Sequence, residues 1–237
     1  MIRTPPADRS DMSFEKLQER IGYRFRNESL LRLALTHSSY VNEHGLSHED
    51  CNERIEYLGD AVLELASSDY LYLHYPHETE GEMTKIRASL VCEQALAEVA
   101  REIGIGEYML MGRGEIASGG ADRDSSISDA LESVIGAIYL DSSFTNAKDF
   151  VYRFIMKDIE TRHLFYDSKT ILQETVQGEA LGELRYELTG SSGPDHDRIF
   201  TSDVIVGGRV LGTGSGRSKK LSEQKAAFEA LLRLKGR

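Results

Sequence analysis

Cysteines and long apolar runs are both scarce in this sequence. Its 237 residues include two cysteines, Cys51 and Cys92, which form neither a CxxC pair nor the ligand spacing of a structural zinc site. No apolar run approaches the roughly 20 residues that cross a bilayer. The first residues, MIRTPPADRSD, lack the apolar core of a secretion signal. These features predict reduced thiols in a cytoplasmic protein that does not enter a membrane.

Basic residues are too few to balance the acidic ones. The chain carries 28 Lys and Arg against 39 Asp and Glu, a net charge of −11, which by itself argues against a nucleic-acid-binding protein. The excess is confined to one part of the chain. Residues 168–237 carry 11 Lys and Arg against 9 Asp and Glu, whereas residues 1–167 carry 17 against 30. This asymmetry predicts two modules with different tasks.

Helical periodicity dominates residues 14–163, for which an all-α domain is predicted. Apolar residues recur there at three- and four-residue spacing, and Gly and Pro clusters separate the segments. The predicted helices are FEKLQERIG, ESLLRLALTHSSYV, RIEYLGDAVLELASSDYLYLH, EMTKIRASLVCEQALAEVAREIG, ISDALESVIGAIYL and NAKDFVYRFIMKDIE.

The pattern changes after a short polar linker, YDS, at residues 166–168. One helix, SKTILQETVQG, precedes three alternating segments with Gly and Pro between them, LRYELTGSS, RIFTSDVIVGG and RVLGTGSG. A last helix, SKKLSEQKAAFEALLRL, has Ser218 placed as its N-cap. The order α-β-β-β-α predicts a small α+β domain over 168–237, in which two helices cover one face of a sheet.

Four carboxylates line one side of the segment NERIEYLGDAVLEL. They are Glu53, Glu56, Asp60 and Glu64. No Lys or Arg of this helix is spaced to relieve their repulsion, which costs a few tenths of a kcal/mol per pair, about the size of one surface ion pair. The apolar residues predicted for the opposite, core-facing side are Ile55, Leu58, Val62 and Leu65. Gly59, which costs roughly 1 kcal/mol relative to Ala inside a helix, predicts the close approach of another backbone.

A second helix repeats the acidic pattern with Asp129 and Glu132 in SDALESVIGAIYLD. Two such helices would pool carboxylates into the oxygen-only site that Mg²⁺ prefers. A solvated helix face is an equally good interpretation of the residues alone. A di-iron helical bundle needs two Glu-x-x-His motifs, and the one such spacing, Glu160 to His163, lies close to the linker.

Two lysines, Lys219 and Lys220, begin the last predicted helix after the glycine-rich segment GTGSG, which is interpreted as a turn. Positive charge opposes the helix dipole at that position, so a phosphate is the natural partner. Tyr186 and Phe200, the aromatic residues of the predicted strands, are expected in the core. Recognition of a duplex by its shape and backbone is therefore favoured over base stacking.

These motifs together resemble bacterial ribonuclease III. NERIEYLGDAVL is similar to the signature helix of that family, and the match continues through LTHSSY (35–40), EGEMTKIRASLV (80–91), GRGE (112–115) and DALESVIGAIYLD (129–141). The segment from KTILQE to GSGRSKKLSEQKAA resembles a double-stranded-RNA-binding domain. The resemblance covers about residues 14–237.

The resemblance implies a set of catalytic carboxylates. The Mg²⁺ ligands it implies are Glu56, Asp60, Asp129 and Glu132, with Asp60 and Glu132 the most sensitive to substitution. Glu53 and Glu80 match two further acidic positions near the cut site, whereas Glu64 matches none. His37 is expected to pack or to form hydrogen bonds, and for Lys85 and Arg87 a phosphate contact and a plain surface role stay equally open.

The resemblance also implies the RNA contacts of the second domain. Thr170, Gln173 and Gln177 match the helix face that meets a minor groove, His196 matches the loop that enters the next minor groove, and Lys219 and Lys220 match contacts to phosphates between them. Two positions depart from the family. Tyr57 stands where the family commonly has Phe, a side chain that in the family plugs a pocket on the partner subunit, so the resemblance implies a dimer contact at Tyr57. Ser222 stands where Ala is usual.

The activity implied is Mg²⁺-dependent hydrolysis of double-stranded RNA, with Mn²⁺ as a possible substitute and no organic cofactor. The implied enzyme is a homodimer that leaves 5′-phosphate and 3′-hydroxyl ends and processes rRNA precursors and other structured transcripts. One alternative is a regulator that binds double-stranded RNA without cutting it. Another, an enzyme acting on small phosphorylated substrates, would explain the carboxylates but not the basic tail.

Overall fold

The computed structural model describes residues 13–194 and 198–236. The chain folds as two compact units, and the division falls between Lys157 and Asp158. Among the described residues, no helix is both long and apolar enough to cross a membrane.

The described part of the first unit is helical. Its α-helices are α1 (Glu15–Ile21), α2 (Glu28–Ala34), α3 (Ser38–His44), α4 (Glu53–His74), α5 (Glu80–Leu90), α6 (Glu93–Ile103), α7 (Arg113–Ala117), α8 (Asp124–Asp141) and α9 (Phe144–Phe154). Short 3-10 turns lie at His48–Asp50, Ile105–Tyr108 and Gly120–Asp122. Helix α8 is apolar on almost all sides because it packs against α2, α4, α6 and α9 at the centre of the unit.

Helices α4 and α8 touch through their backbones. A Cβ atom on Gly59 would lie 1.8 Å from the carbonyl oxygen of Glu132, and one on Gly136 would lie 2.5 Å from that of Ile55. The close approach that the sequence predicts at Gly59 is therefore confirmed. The helices cross at these glycines. Glu56 and Asp60 lie within one turn of Gly59 on α4, and Glu132 lies about one turn before Gly136 on α8, so the carboxylates are near the crossing.

The buried stripe of α4 runs through Ile55, Gly59, Val62 and Ala66. Leu65, which the sequence analysis assigned to the core-facing side, is 57% exposed. That assignment was wrong because the stripe is centred on the small residues that contact α8, and this rotates Leu65 towards solvent.

Two segments predicted as single helices are each broken in two, and a third, NAKDFVYRFIMKDIE, is helical only to Phe154 before a separate helix begins at Ile159. Within ESLLRLALTHSSYV, α2 ends at Ala34 and α3 begins at Ser38. Between them the chain is extended, and Thr36 forms a parallel bridge with Leu110. Within EMTKIRASLVCEQALAEVAREIG, an extended Cys92 separates α5 from α6. Apolar periodicity continues across both corners, so periodicity alone does not mark the breaks.

The second unit contains α10 (Ile159–Tyr166), α11 (Ser168–Gly178), β1 (Leu184–Ser192), β2 (Ile199–Val206), β3 (Arg209–Gly216) and α12 (Lys219–Lys235). The strands form an antiparallel sheet in the order β1-β2-β3. Gly207 and Gly208, both with positive φ, make the two-residue turn between β2 and β3. The predicted α-β-β-β-α order from α11 to α12 is confirmed.

Alternate glycines on β3 let α12 pack directly against the sheet. A Cβ on Gly214 would lie 2.3 Å from both the Ser222 carbonyl oxygen and the Ala226 nitrogen, and one on Gly212 would lie 2.3 Å from the Ala226 carbonyl oxygen. The interpretation of GTGSG as a turn was therefore wrong. Gly212, Gly214 and Gly216 are strand residues whose missing side chains make room for a helix.

Helix α10 packs with the second unit. Leu164 is part of the apolar core that includes Leu172 and Leu231, and the Phe165 ring meets that of Phe228 edge to face at 5.3 Å. The structural division thus differs from the predicted domains 14–163 and 168–237, which assign most of α10 to the first domain. The polar residues YDS suggest a linker, but Ser168 is fully buried and donates from Oγ to the carbonyl oxygen of Gln224.

Candidate active site

Carboxylates from α4 and α8 converge where the two helices cross. One oxygen from each of Glu56, Asp129 and Glu132 lies within 4.8 Å of the other two, and all three side chains are half-buried. We call these three residues the acidic cluster. Asp60, the fourth predicted ligand, is exposed beside it, and its charge acts on both Glu56 and Glu132.

The acidic cluster holds its protons more tightly than ordinary carboxyl groups do. Burial, the largest cause, raises the pKa of Glu132 to about 8 and the pKa of Glu56 to about 7. Nearby carboxylates add to both shifts, and they are Asp60, Asp129, Glu56 and Glu64 for Glu132, and Asp129, Glu53 and Asp60 for Glu56. Converging oxygen donors with unbalanced negative charge fit a hard divalent cation of the magnesium class.

Three residues outside the predicted metal ligands, Glu93, Ser128 and His37, act on Asp129. Burial, followed by the charge of Glu93, raises the pKa of Asp129, while a hydrogen bond from Ser128 and the charge of His37 oppose the rise. Glu93 is the first residue of α6, and nothing in its sequence context indicates proximity to Asp129. His37 also caps α3, because its Nδ1 accepts from the backbone N–H of Ser39 at 3.2 Å.

The outer residues of the acidic stripe have partners from other segments. Arg87 of α5 forms an ion pair with Glu64, Nη1 to Oε2 at 3.1 Å, and donates to Ser68 Oγ at 2.7 Å. Glu64 is thus neutralised by a basic residue that is distant in sequence. Arg87 thus has a structural role that neither of the alternatives left open for it describes, and Lys85 is exposed.

The two further acidic positions differ in their surroundings. Glu53 lies one helical turn before Glu56, contributes to its raised pKa, and pairs with His48, Nε2 to Oε2 at 3.2 Å. Glu80, the first residue of α5, accepts from Thr84 Oγ1 at 3.2 Å and is not among the causes of the carboxylate pKa shifts. It lines a separate cavity of about 280 Å³ between α4 and α5. The charge of Glu53 thus acts on the acidic cluster, whereas the described contacts of Glu80 are with Thr84 and the cavity.

Exposed polar residues occupy the positions expected to contact RNA. Thr170, Gln173 and Gln177 are exposed on one face of α11, and Lys219 and Lys220 are exposed in the first turn of α12. Ser218 caps α12 as predicted, since its Oγ accepts from the Leu221 N–H at 3.1 Å. His196 lies outside the described residues.

The second unit contains Tyr186 and Phe200, which were expected in the core, and Ser222, which stands where the family usually has Ala. Tyr186 packs on the core, and the Lys169 Nζ lies 4.6 Å from its ring centre. Phe200 is half-buried. Ser222 is fully buried, and its hydroxyl lies 2.7 Å from that of Ser202, so the departure at position 222 forms a buried hydrogen bond.

The Tyr57 side chain points into solvent in the single chain. It is 82% exposed, and Leu65 and Tyr72, further along α4, are 57% and 74% exposed. These residues form an uncovered apolar strip on the helix that carries Glu56 and Asp60.

Comparisons with known proteins agree with these observations. A Ribonuclease-III-like family model matches residues 27–159, and a Double-stranded RNA binding motif matches residues 168–234. Ribonuclease 3 of Desulforamulus reducens is 47% identical over 234 residues, 96% of this chain and 94% of that protein. Ribonuclease 3 of Bacillus licheniformis is 47% identical over 223 residues, 93% of this chain and 90% of that protein.

A solved structure supports the same fold for the first unit. The nuclease domain of ribonuclease III from Campylobacter jejuni matches with a TM-score of 0.57 and 40% identity, over 62% of this chain and 98% of that one. Sequence, site geometry and structural similarity lead to one family. The chain belongs to the ribonuclease III family, whose members are endoribonucleases that act on double-stranded RNA.

Proposed function

We propose that this chain is a Mg²⁺-dependent endoribonuclease that hydrolyses phosphodiester bonds in double-stranded RNA and leaves 5′-phosphate and 3′-hydroxyl ends. Its substrates are rRNA precursors and other structured transcripts in the cytoplasm. The observation that carries the proposal is the convergence of the Glu56, Asp129 and Glu132 oxygens within 4.8 Å. The product ends and the substrates are those implied by the family resemblance.

The acidic cluster and Asp60 would hold the metal, and Mn²⁺ would serve as a substitute. The chemistry supplied by bound Mg²⁺ is the acidification of water and the neutralisation of charge on the phosphate. The contact of Gly59 with the Glu132 backbone would hold the carboxylates of α4 and α8 in a fixed position relative to each other. Because these carboxylates are half-buried, bulk water screens their charges less than it would at the surface. Their attraction for a divalent cation is therefore stronger.

Glu53 and Glu80 have supporting roles in this proposal. Glu53 adds negative charge beside Glu56 and so strengthens the attraction for a cation. Glu80 acts near the cut site, as the resemblance implies, from a position outside the acidic cluster.

The second unit would supply most of the sequence-independent affinity for RNA. Thr170, Gln173 and Gln177 present hydrogen-bonding groups at helical spacing, which suits a minor groove lined with 2′-hydroxyl groups. Lys219 and Lys220 present two ammonium groups at a helix N-terminus, which suits phosphates. His196 is proposed to enter the next minor groove.

The active form is proposed to be a homodimer joined through the exposed strip of α4. Exposure of Tyr57, Leu65 and Tyr72 supports this proposal, because a second copy would remove large apolar surfaces from water. The description of the Campylobacter jejuni nuclease domain names a region involved in dimer formation of that protein.

The decisive experiment follows labelled duplex RNA on gels with the wild-type chain and with Glu132→Gln, each with and without Mg²⁺. We expect cleavage only by the wild type with Mg²⁺, while the variant still retards the RNA. Glu98→Gln, which removes an exposed carboxylate from α6, is the matched control and should cleave normally.

A non-cleaving regulator of double-stranded RNA is the alternative function. Retardation of the duplex by the wild type in Mg²⁺, without any cut product, would favour the regulator and contradict the proposed hydrolysis. Analysis of the ends by ligation tests the proposed 5′-phosphate separately from the cut itself.

A further inference from the structure

A second group of metal-ligating side chains lies just before α4. His48, Cys51 and Glu53 each offer one donor atom, and the three donor atoms lie within 4.8 Å of one another. We call these residues the His-Cys-Glu triad. The two outer members are already in contact, because His48 Nε2 lies 3.2 Å from Glu53 Oε2. Glu53 also lies beside the acidic cluster, but the triad shares no residue with that cluster and includes a sulfur ligand, which the acidic cluster lacks.

The backbone that carries the triad is held in place by bonds at both ends. Ser47 and Asp50 form a reciprocal capping box around the turn that contains His48. After Cys51, the Asn52 N–H donates to the carbonyl oxygen of Thr36 at 2.8 Å. Because the turn is already folded, a ligand would need to order only the exposed side chains of His48 and Glu53.

The positions of the donor atoms suit a tetrahedral metal. Bonds of roughly 2.0–2.3 Å to nitrogen, oxygen and sulfur place the donors of a tetrahedral zinc site about 3.3–3.8 Å apart. The His48 Nε2 and Glu53 Oε2 atoms are already 3.2 Å apart, and each of the three donor atoms lies within 4.8 Å of the other two. Cys51 itself is 1% exposed, so its sulfur is fixed while the outer ligands close over the metal.

The chemistry of the donors selects the class of metal. A thiolate and an imidazole favour zinc-class cations over Mg²⁺, which prefers oxygen alone. Thiolate and carboxylate together carry two negative charges, so they neutralise a divalent cation. The sequence spacing H-x₂-C-x-E contains no cysteine pair, which is why counting cysteines did not predict this site.

We propose that His48, Cys51 and Glu53 bind a thiophilic divalent cation of the zinc class, with water as the fourth ligand. On binding, the Cys51 thiol releases its proton to solvent and a metal–sulfur bond forms. The hydrogen bond from Cys51 Sγ to the carbonyl oxygen of His48, 3.1 Å long, is broken in the same step. The contact between His48 Nε2 and Glu53 Oε2 is replaced by two bonds to the metal, and a proton carried by Nε2 is released to solvent with that of the thiol.

The test is a titration of the purified full chain with Co²⁺, in excess Mg²⁺ so that oxygen-only sites are filled. Cobalt bound to a thiolate gives a near-ultraviolet charge-transfer band, and tetrahedral cobalt gives intense visible bands. We expect both, saturating at one Co²⁺ per chain and abolished by added Zn²⁺. Cys51→Ser should lose the charge-transfer band, whereas the matched Cys92→Ser should keep it.

A second variant covers the case in which Cys51→Ser does not fold, which circular dichroism would reveal. His48→Gln changes an exposed side chain, so the fold should persist, and we expect Co²⁺ affinity to fall about tenfold or more. Absence of the bands in the wild type, loss of the band in Cys92→Ser, or unchanged affinity in His48→Gln would each overturn the proposal.

Discussion

Single residues of the acidic cluster would link protein stability to the proposed metal binding. Glu56 and Glu132 have pKa values raised to about 7 and about 8, mainly because they are half-buried. Each is therefore easier to bury when protonated, and each destabilises the metal-free fold when ionised. A bound cation reverses this relation, since it needs the ionised form.

The first prediction concerns pH. Because both pKa values are raised above the ordinary value for Glu, the stabilising contribution is complete below about pH 4.3 and is lost as the pH rises through 7 to 8. Between pH 5 and pH 8.5 or so, the melting temperature of the metal-free protein should fall. In Mg²⁺ the fall should be much smaller, and scanning calorimetry measures both.

Glu132→Gln provides the control for this prediction. It removes the most strongly shifted carboxyl group, so the slope without metal should become shallower and the effect of Mg²⁺ should shrink. Parallel curves with and without Mg²⁺ in the wild type would contradict the linkage.

The paired hydroxyl groups of Ser202 and Ser222 give a second prediction at this scale. Both side chains are buried, and their oxygens are 2.7 Å apart. Ser202→Ala should destabilise the second unit by about 1 kcal/mol, because the Ser222 hydroxyl loses one buried hydrogen bond while it still donates to the carbonyl oxygen of Lys219. The double Ala variant should cost less than the sum of the two single changes. Hydrogen exchange of the α12 amides measures the change, and strict additivity would count against a specific pair.

At the scale of elements, the crossing of α4 and α8 makes a sharper prediction. Gly59→Ala would place a methyl group 1.8 Å from the Glu132 carbonyl oxygen, so the helices must separate. We expect a loss of about 2–3 kcal/mol in unfolding free energy and weaker metal binding, because the acidic cluster spans this crossing.

Gly114→Ala is the matched control, since a Cβ there meets no described atom within 4 Å. It should leave stability unchanged or raise it slightly through helix propensity. Mg²⁺ binding by calorimetry and unfolding in urea distinguish the two variants. Unchanged metal affinity in Gly59→Ala would show that the crossing does not position the carboxylates.

Much of the element order is predictable from the sequence because local patterns agree with tertiary packing. Segments such as α11, β1 and β3 have turn residues at their ends and periodicity within them. The break at Thr36 is different, because it is stabilised by hydrogen bonding to Leu110, which lies far away in the chain. Leu65 was misassigned for a related reason: the contact with α8, rather than hydrophobicity, decides which face of α4 is buried.

The carboxylates of the candidate site were predictable from the sequence, but several of their partners were not. Glu56 and Glu132 stand out as unbalanced charges at helical spacing, and Gly59 indicates the crossing that joins their helices. The ion pair of Arg87 with Glu64 and the proximity of Glu93 to Asp129 depend on how distant helices pack, which local patterns do not encode.

For the complete chain, we propose that the first unit cuts RNA and the second unit supplies most of the affinity for it. A chain ending at Lys157, where the first unit ends, should bind duplex RNA more weakly and with a shallower dependence on salt. Loss of Lys219 and Lys220 alone should reduce the slope of log K against log salt by about 2. Some cleavage should persist at low salt, because the acidic cluster remains.

Filter binding over a salt series and a cleavage assay test this division. Ending the chain at residue 167 instead keeps α10 without its core partners, and Leu164 and Phe165 would be exposed. That version should aggregate more readily than the one ending at Lys157. Loss of all cleavage at every salt concentration would contradict independent function of the first unit.

The crossing of α4 and α8 also has a consequence for protein synthesis. The carboxylates that meet there, Glu56 and Glu132, are 76 positions apart in the sequence. A growing chain therefore has no assembled acidic cluster until α8 has left the ribosome. The second unit, which follows from Asp158, emerges later still. During translation the ribosome, itself largely structured RNA, is thus close to a nascent chain that first lacks the proposed cutting site. Later the chain has that site but not yet the double-stranded-RNA-binding unit.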